Sequence, residues 1–151
     1  MTEPDLPALQ AIIDRSTRTA TPAVADSVAY PERQMTAAEF VDFWRSVRLV
    51  AMATVGAGGQ PHVAPVHAEI AGATLRLVVY ENTVRRHDLA QNPRVAFTTW
   101  RPDGAAAIAY GRAREVPGSE REARPGRSGR PRRVVEVEVE VTRIYAMRPP
   151  A

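Results

Sequence analysis

From residue 36 onward the hydrophobic positions change period twice. Phe40, Phe43, Trp44 and Val47 recur at helical spacing and mark an amphipathic helix to about Arg48. Thr36-Ala37-Ala38-Glu39 in front of it is a capping box, with Glu three residues after Thr. The large aromatics of that helix predict packing on a sheet. LVAMATV (49–55) is a continuous apolar run, as for a strand buried on both faces. The chain then reads as PHVAPVHAEI (61–70) and LRLVVYE (75–81), separated by the Gly-containing turns GAGGQ and AGAT. RVAFTTW (94–100), AAAIAYGRAREV (105–116) and VVEVEVEVTRIYAM (134–147) follow as three more strands. The last alternates strictly: Val135, Val137, Val139 and Val141 share one face, and Glu136, Glu138 and Glu140 the solvent face.

Six strands with short turns predict a mainly β (α+β) chain, an antiparallel closed or nearly closed barrel with a few short flanking helices. Residues 36–151 form this barrel domain, and residues 1–35 an N-terminal extension. Within the extension, Asp5–Arg15 reads as a short helix. Thr17–Pro31 has no clear period and is expected to run extended over the surface or a partner.

Between the third and fourth strands, ENTVRRHDLAQNP (81–93) reads as one more short helix. Asn82 or Thr83 can cap it, and Asn92-Pro93 can end it. Its first turn carries Arg85 and Arg86, at the end where the helix dipole disfavours cations. One reading is a solvated helix face. The other is an anion that completes the site: free backbone N–H groups, the Thr83 hydroxyl, and a guanidinium fork from Arg85 or Arg86.

Composition narrows the classes. The 151 residues are 44% hydrophobic and 25% charged, ordinary for one globular domain. No apolar run approaches the roughly 18 residues of a membrane helix, the N-terminus lacks a signal-peptide pattern, and a cytoplasmic location is expected. Cysteine is absent, which excludes disulfides, thiolate catalysis and cysteine metal sites. Net charge is +3, and every basic residue is arginine. Six arginines lie in a segment expected to be a flexible loop (117–133): Arg121, Arg124, Arg127, Arg130, Arg132 and Arg133. Without interleaved aromatics this loop does not read as a nucleic-acid binder.

Other candidate chemistry thins out on inspection. His62 and His67 lie five apart on one strand and point to opposite faces, and no carboxylate cluster joins them or His87, so no metal site is expected. Gly56-Ala57-Gly58-Gly59 leads into a strand rather than a helix and lacks the dinucleotide-binding context. Pro65 cannot donate to a ladder, so its strand is irregular there. Gly111, inside a strand, suggests a bulge or a close backbone approach.

Taken in order, three segments resemble one family. LVAMATVGAGGQPHVAPVHAEI is similar to its opening hairpin, and TVRRHDLAQNPRVAFTTW to its Thr/Ser–Lys/Arg…Leu…Asn-Pro segment. The alternating terminal strand is the third. From Thr36 to Met147 the chain resembles the pyridoxamine 5′-phosphate oxidase-like flavin-binding split β-barrels. The resemblance implies a six-stranded antiparallel split barrel and a homodimer with cofactor at the subunit interface. It implies a small flavin-dependent oxidoreductase acting on a small-molecule substrate, with FMN as cofactor. Relatives that bind a deazaflavin or haem imply the alternatives, including a binder without turnover. By resemblance Thr83 and Arg85 hold the cofactor phosphate with help from Arg86, and Pro65, Val66 and His67 lie along the flavin ring. Tyr80 and Trp100 are further contacts. The oxidase proper has basic residues where this chain has Ala64 and Glu69, and a Gln before the glycine of the fifth strand. The resemblance therefore implies a relative, with no catalytic residue assigned.

Overall fold

The computed structural model describes residues 2–151. The elements are α1 (Leu6–Arg18), α2 (Pro22–Ala25), α3 (Ala37–Ser46), β1 (Val50–Val55), β2 (Pro61–Val66), β3 (Glu69–Ala71) and β4 (Thr74–Tyr80). They continue with α4 (Val84–Gln91), β5 (Arg94–Trp100), β6 (Ala106–Glu115), β7 (Arg121–Ala123) and β8 (Arg132–Met147). All strands pair antiparallel in one curled sheet of order β2-β1-β5-β6-β8-β4-β3, with β7 also on β8.

The mainly β, split-barrel reading holds, but the described residues form eight strands rather than six. Residues 61–70 are not one strand. They break at His67-Ala68 into β2 and β3, the two edge strands of the sheet, so this two-residue link joins one edge to the other. Trp44 pins the link: its indole N–H donates to the Ala68 carbonyl at 2.9 Å. The eighth strand, β7, lies in the arginine-rich segment expected to be a loop, because Arg121–Ala123 find ladder partners at Arg132–Val134.

The N-terminal segment also departs from the extended course expected for residues 17–31. α1 continues to Arg18, and Thr21 then caps α2 with Pro22 at its first position, a favoured pairing. α1 sets Leu9, Ile12 and Ile13 into the core. Its buried Ser16 hydroxyl donates to the Ile12 carbonyl and accepts from the Ile144 N–H at 3.0 Å, which ties α1 to β8. α3 adds Phe40, Phe43 and Trp44 to the buried cluster that also holds Met52, Leu75, Phe97, Val137 and Val139. Its capping box is formed as the spacing predicts.

The β6–β8 register slips between Tyr110 and Gly111. A Cβ at Gly111 would overlap the Glu140 carbonyl oxygen and the Val139 side chain. Gly111→Ala should therefore force the two longest strands apart and cost about 2 kcal/mol or more. A urea melt of the variant checks this.

Candidate functional site

α4 is a polar helix that buries only Asp88 and Leu89. Its start is set by Thr83, whose hydroxyl accepts from the Arg86 N–H at 3.3 Å and donates to the Tyr80 carbonyl at 2.9 Å. The cap fixes the first turn, and with it the directions taken by Arg85 and Arg86.

The two arginines have different surroundings. Arg86 donates to Glu115 at 2.7 Å and to Glu120 at 2.7 Å, with Glu81 at 3.9 Å. Those hydrogen bonds to Glu115 and Glu120 push its pKa further up, so its charge is permanent and matched by carboxylates. Arg85 turns into a cavity of about 600 Å³. Its Nε is buried and has no hydrogen-bond partner among the described residues. A buried guanidinium N–H left unpaired is costly, and native structures rarely keep one without a reason.

Pro65, Val66, His67, Tyr80 and Arg85 all line this cavity, joined by Arg76, Ile70 and Glu136. The wall includes both sheet edges. β2 pairs only with β1 and β3 only with β4, so each leaves one row of backbone N–H and C=O groups outside the ladder. His67 is held by both ring nitrogens, Nδ1 to the Arg48 carbonyl at 3.1 Å and Nε2 to Glu69 at 3.3 Å.

Thr83, Arg86 and Trp100 lie elsewhere. Thr83 and Arg86 border a separate depression with Asn82 and His87. Trp100 is 67% exposed and lines a separate groove of about 330 Å³ with Leu49 and Val63. Pro65 is shared by this groove and the Arg85 cavity.

The group that holds α4 in place carries no sequence motif. Asp88 is 1% exposed, and its Oδ2 accepts from the Thr54 hydroxyl and from His62 Nδ1, each at 2.7 Å. Burial raises the Asp88 pKa, but hydrogen bonds from Thr54 and His62 and the charges of His62 and His87 outweigh it, so the carboxyl titrates below its ordinary range. Gly56 makes room: a Cβ there would stand 2.8 Å from His62 Cε1 and 3.0 Å from Asp88 Oδ1. The available signal was Thr54, a polar residue at an inward position of an otherwise apolar strand.

The arrangement offers a half-buried arginine whose Nε has no hydrogen-bond partner among the described residues, exposed backbone edges and a mixed wall. That suits a planar ligand with an anionic end.

A family model described as pyridoxamine 5′-phosphate oxidase matches residues 36–147. No curated protein matches. Among solved structures, a conserved hypothetical protein of Mycobacterium tuberculosis is similar at TM-score 0.64 and 18% identity, over 80% of this chain and 89% of that one. An FAD-binding protein of Mesorhizobium loti is similar at TM-score 0.56 and 16% identity, over 74% and 94%. The haem storage protein HutZ of Vibrio cholerae is similar at TM-score 0.57 and 12% identity, over 73% and 93%. At these identities the structural likeness speaks for the fold.

Proposed function

The chain belongs to the pyridoxamine 5′-phosphate oxidase family, and from that premise we propose that it is a small flavin-dependent oxidoreductase holding FMN in the Arg85 cavity. The observation that carries the reading is Arg85, which lines a cavity of nucleotide size and whose Nε has no hydrogen-bond partner among the described residues. Arg85 would take the phosphate. Pro65, Val66 and His67, with the free edge of β2, would supply the wall for the ring, and Tyr80 would border it. Bound flavin supplies the redox chemistry, so the chain's own task is to bind, orient and shield it. Thr83 acts through the helix cap, and Arg86 tethers α4 to β6 and the β6–β7 turn.

The absence of basic residues at Ala64 and Glu69 favours a relative of the oxidase rather than the oxidase itself. A deazaflavin phosphate would meet the same Arg85. Haem is less well served, because His67, the imidazole in the wall, has both nitrogens engaged. An absorption spectrum of the purified protein after incubation with FMN, deazaflavin or haem tests the reading. A flavin band that bleaches when a nicotinamide donor is added is the expected result. A flavin that stays oxidised marks a binder without turnover, and no flavin band at all rejects the proposal.

A second copy of the chain completes the reading. Leu49 (52% exposed), Val63 (72%) and Trp100 form an apolar patch on the β1–β2–β5 face, next to the cavity through Pro65. A large exposed apolar patch of this kind fits a subunit contact. Trp100→Glu should convert a dimer into a monomer, since central tryptophans often dominate such contacts. Light scattering coupled to gel filtration reads the change, and an unchanged mass would remove this face as the interface.

A further inference from the structure

We infer that the outer face of β5, β6 and β8 holds an anion site built on the β6–β8 bulge. Its ligand is a pyrophosphate ester with a planar group, the chemical class of a nucleoside diphosphate. The site shares no lining residue with the Arg85 cavity or the Trp100 groove.

The site starts from the alternation of β8. Val135, Val137, Val139 and Val141 are buried on its inner face. An unbroken strand would put Arg143 on that same face. The register slip prevents this. Gly111 pairs with Val141 and Tyr110 with Arg143, so Thr142 is the extra residue. Past it, Ile144 and Ala146 are buried, and Arg143 is exposed beside Tyr110. The bulge is held from two sides. The Thr142 hydroxyl donates to the Tyr110 carbonyl at 3.2 Å, and the Thr142 carbonyl accepts from Arg15 of α1 at 3.1 Å. Bulges next to functional sites re-aim side chains in this way.

Arg94, Arg112 and Arg143 then line one cavity of about 490 Å³, with Tyr110 and Thr142. Arg94 stands directly opposite Arg112 across the β5–β6 ladder, and like charges so placed destabilise a sheet. Other outward arginines have carboxylates: Arg76 and Arg114 share Glu138, and Arg121 meets Glu136. Arg94, Arg112 and Arg143 form no ion pair among the described residues. Glu140, the cross-strand neighbour of Arg112 on β8, lies outside the cavity lining and forms none either. An anion in the cavity would supply the missing counter-charge.

The ligand class follows from charge and shape. A phosphate monoester carries about −1.5 to −2 at neutral pH, short of three guanidiniums, whereas two linked phosphates come closer to matching them. Tyr110 supplies the other half of the recognition. Its ring is 41% exposed and braced by buried Tyr145, with centroids 6.4 Å apart and planes at 81°. An exposed aromatic face held in this way suits stacking with a planar group.

Isothermal titrations of the full-length protein with ADP, AMP and pyrophosphate at low salt test this. ADP should bind about tenfold tighter than AMP, and added salt should weaken it. Arg143→Gln should reduce ADP affinity about tenfold. Arg94→Gln should do the same with an equal or higher melting temperature, because it relieves the opposed charges, and it decides the matter if Arg143→Gln unfolds. Tyr110→Leu should lower ADP affinity several-fold and leave pyrophosphate affinity unchanged, on the order of one stacking contact. Arg127→Ser/Arg130→Ser, which removes charge from the exposed hairpin instead, should bind ADP as the wild type does. Equal affinity for ADP and AMP, undiminished binding in the Arg94 and Arg143 variants, or an equal loss in the hairpin variant would overturn the inference. Pyrophosphate binding as tightly as ADP would overturn the assignment of a planar ester.

Discussion

Arg85→Glu should reduce FMN affinity by at least about a hundredfold, because it would remove the charge-assisted hydrogen bonds proposed for the phosphate and put a like charge in their place. The fold should survive. The Arg85 Nε makes no hydrogen bond to the protein that the change could break. The new carboxylate would also sit in the first turn of α4, where the helix dipole favours it. Isothermal titration with FMN, beside thermal melts of both proteins, checks the two halves. The expected pattern is lost binding with an unchanged or slightly higher melting temperature. Arg86→Glu should behave in the opposite way. It would place a fourth carboxylate among Glu81, Glu115 and Glu120 and loosen α4, with a visible drop in melting temperature.

Asp88→Ala should cost about 3 kcal/mol, because it leaves the buried Thr54 hydroxyl and the His62 Nδ1–H without their acceptor. Urea unfolding at neutral pH reads the loss. The effect has a pH signature. The folded-state pKa of Asp88 is depressed, so its stabilisation is present above the unfolded-state carboxylate pKa. It is lost as pH falls through the lower folded-state value. Wild type and Asp88→Ala should therefore converge in stability toward acid pH. Because α4 buries only Asp88 and Leu89, the same variant should also weaken FMN binding, through a mispositioned Arg85 rather than a lost contact. A variant as stable as wild type would show that α4 is held by something else.

How much of this was legible in the sequence follows from how local each cause is. The capping box of α3, the Thr83 cap and the alternation of β8 are local patterns, and each appears where its residues place it. The break between β2 and β3 was hidden because its cause is remote: the Trp44 indole reaches the Ala68 carbonyl across 24 positions. β7 was hidden because its ladder partner, not its own composition, makes it a strand. At the site, the wrong-end cations of α4 pointed to Arg85, but local spacing could not separate Arg85 from Arg86. What separates them is the Glu115 and Glu120 pair, about 30 positions away, which claims Arg86. The Asp88–His62–Thr54 cluster was unreadable for the same reason, since three elements meet there and none carries a motif.

If the cavity holds a flavin by its phosphate through Arg85, the phosphate should decide affinity. The most direct measurement is the wild-type affinity for FMN against that for riboflavin, which shares the ring and ribityl chain but lacks the phosphate. FMN should bind about a hundredfold tighter, the difference that charge-assisted contacts to one phosphate supply. Equal affinity for the two would mean that Arg85 reads no phosphate, and the flavin reading of the cavity would fall.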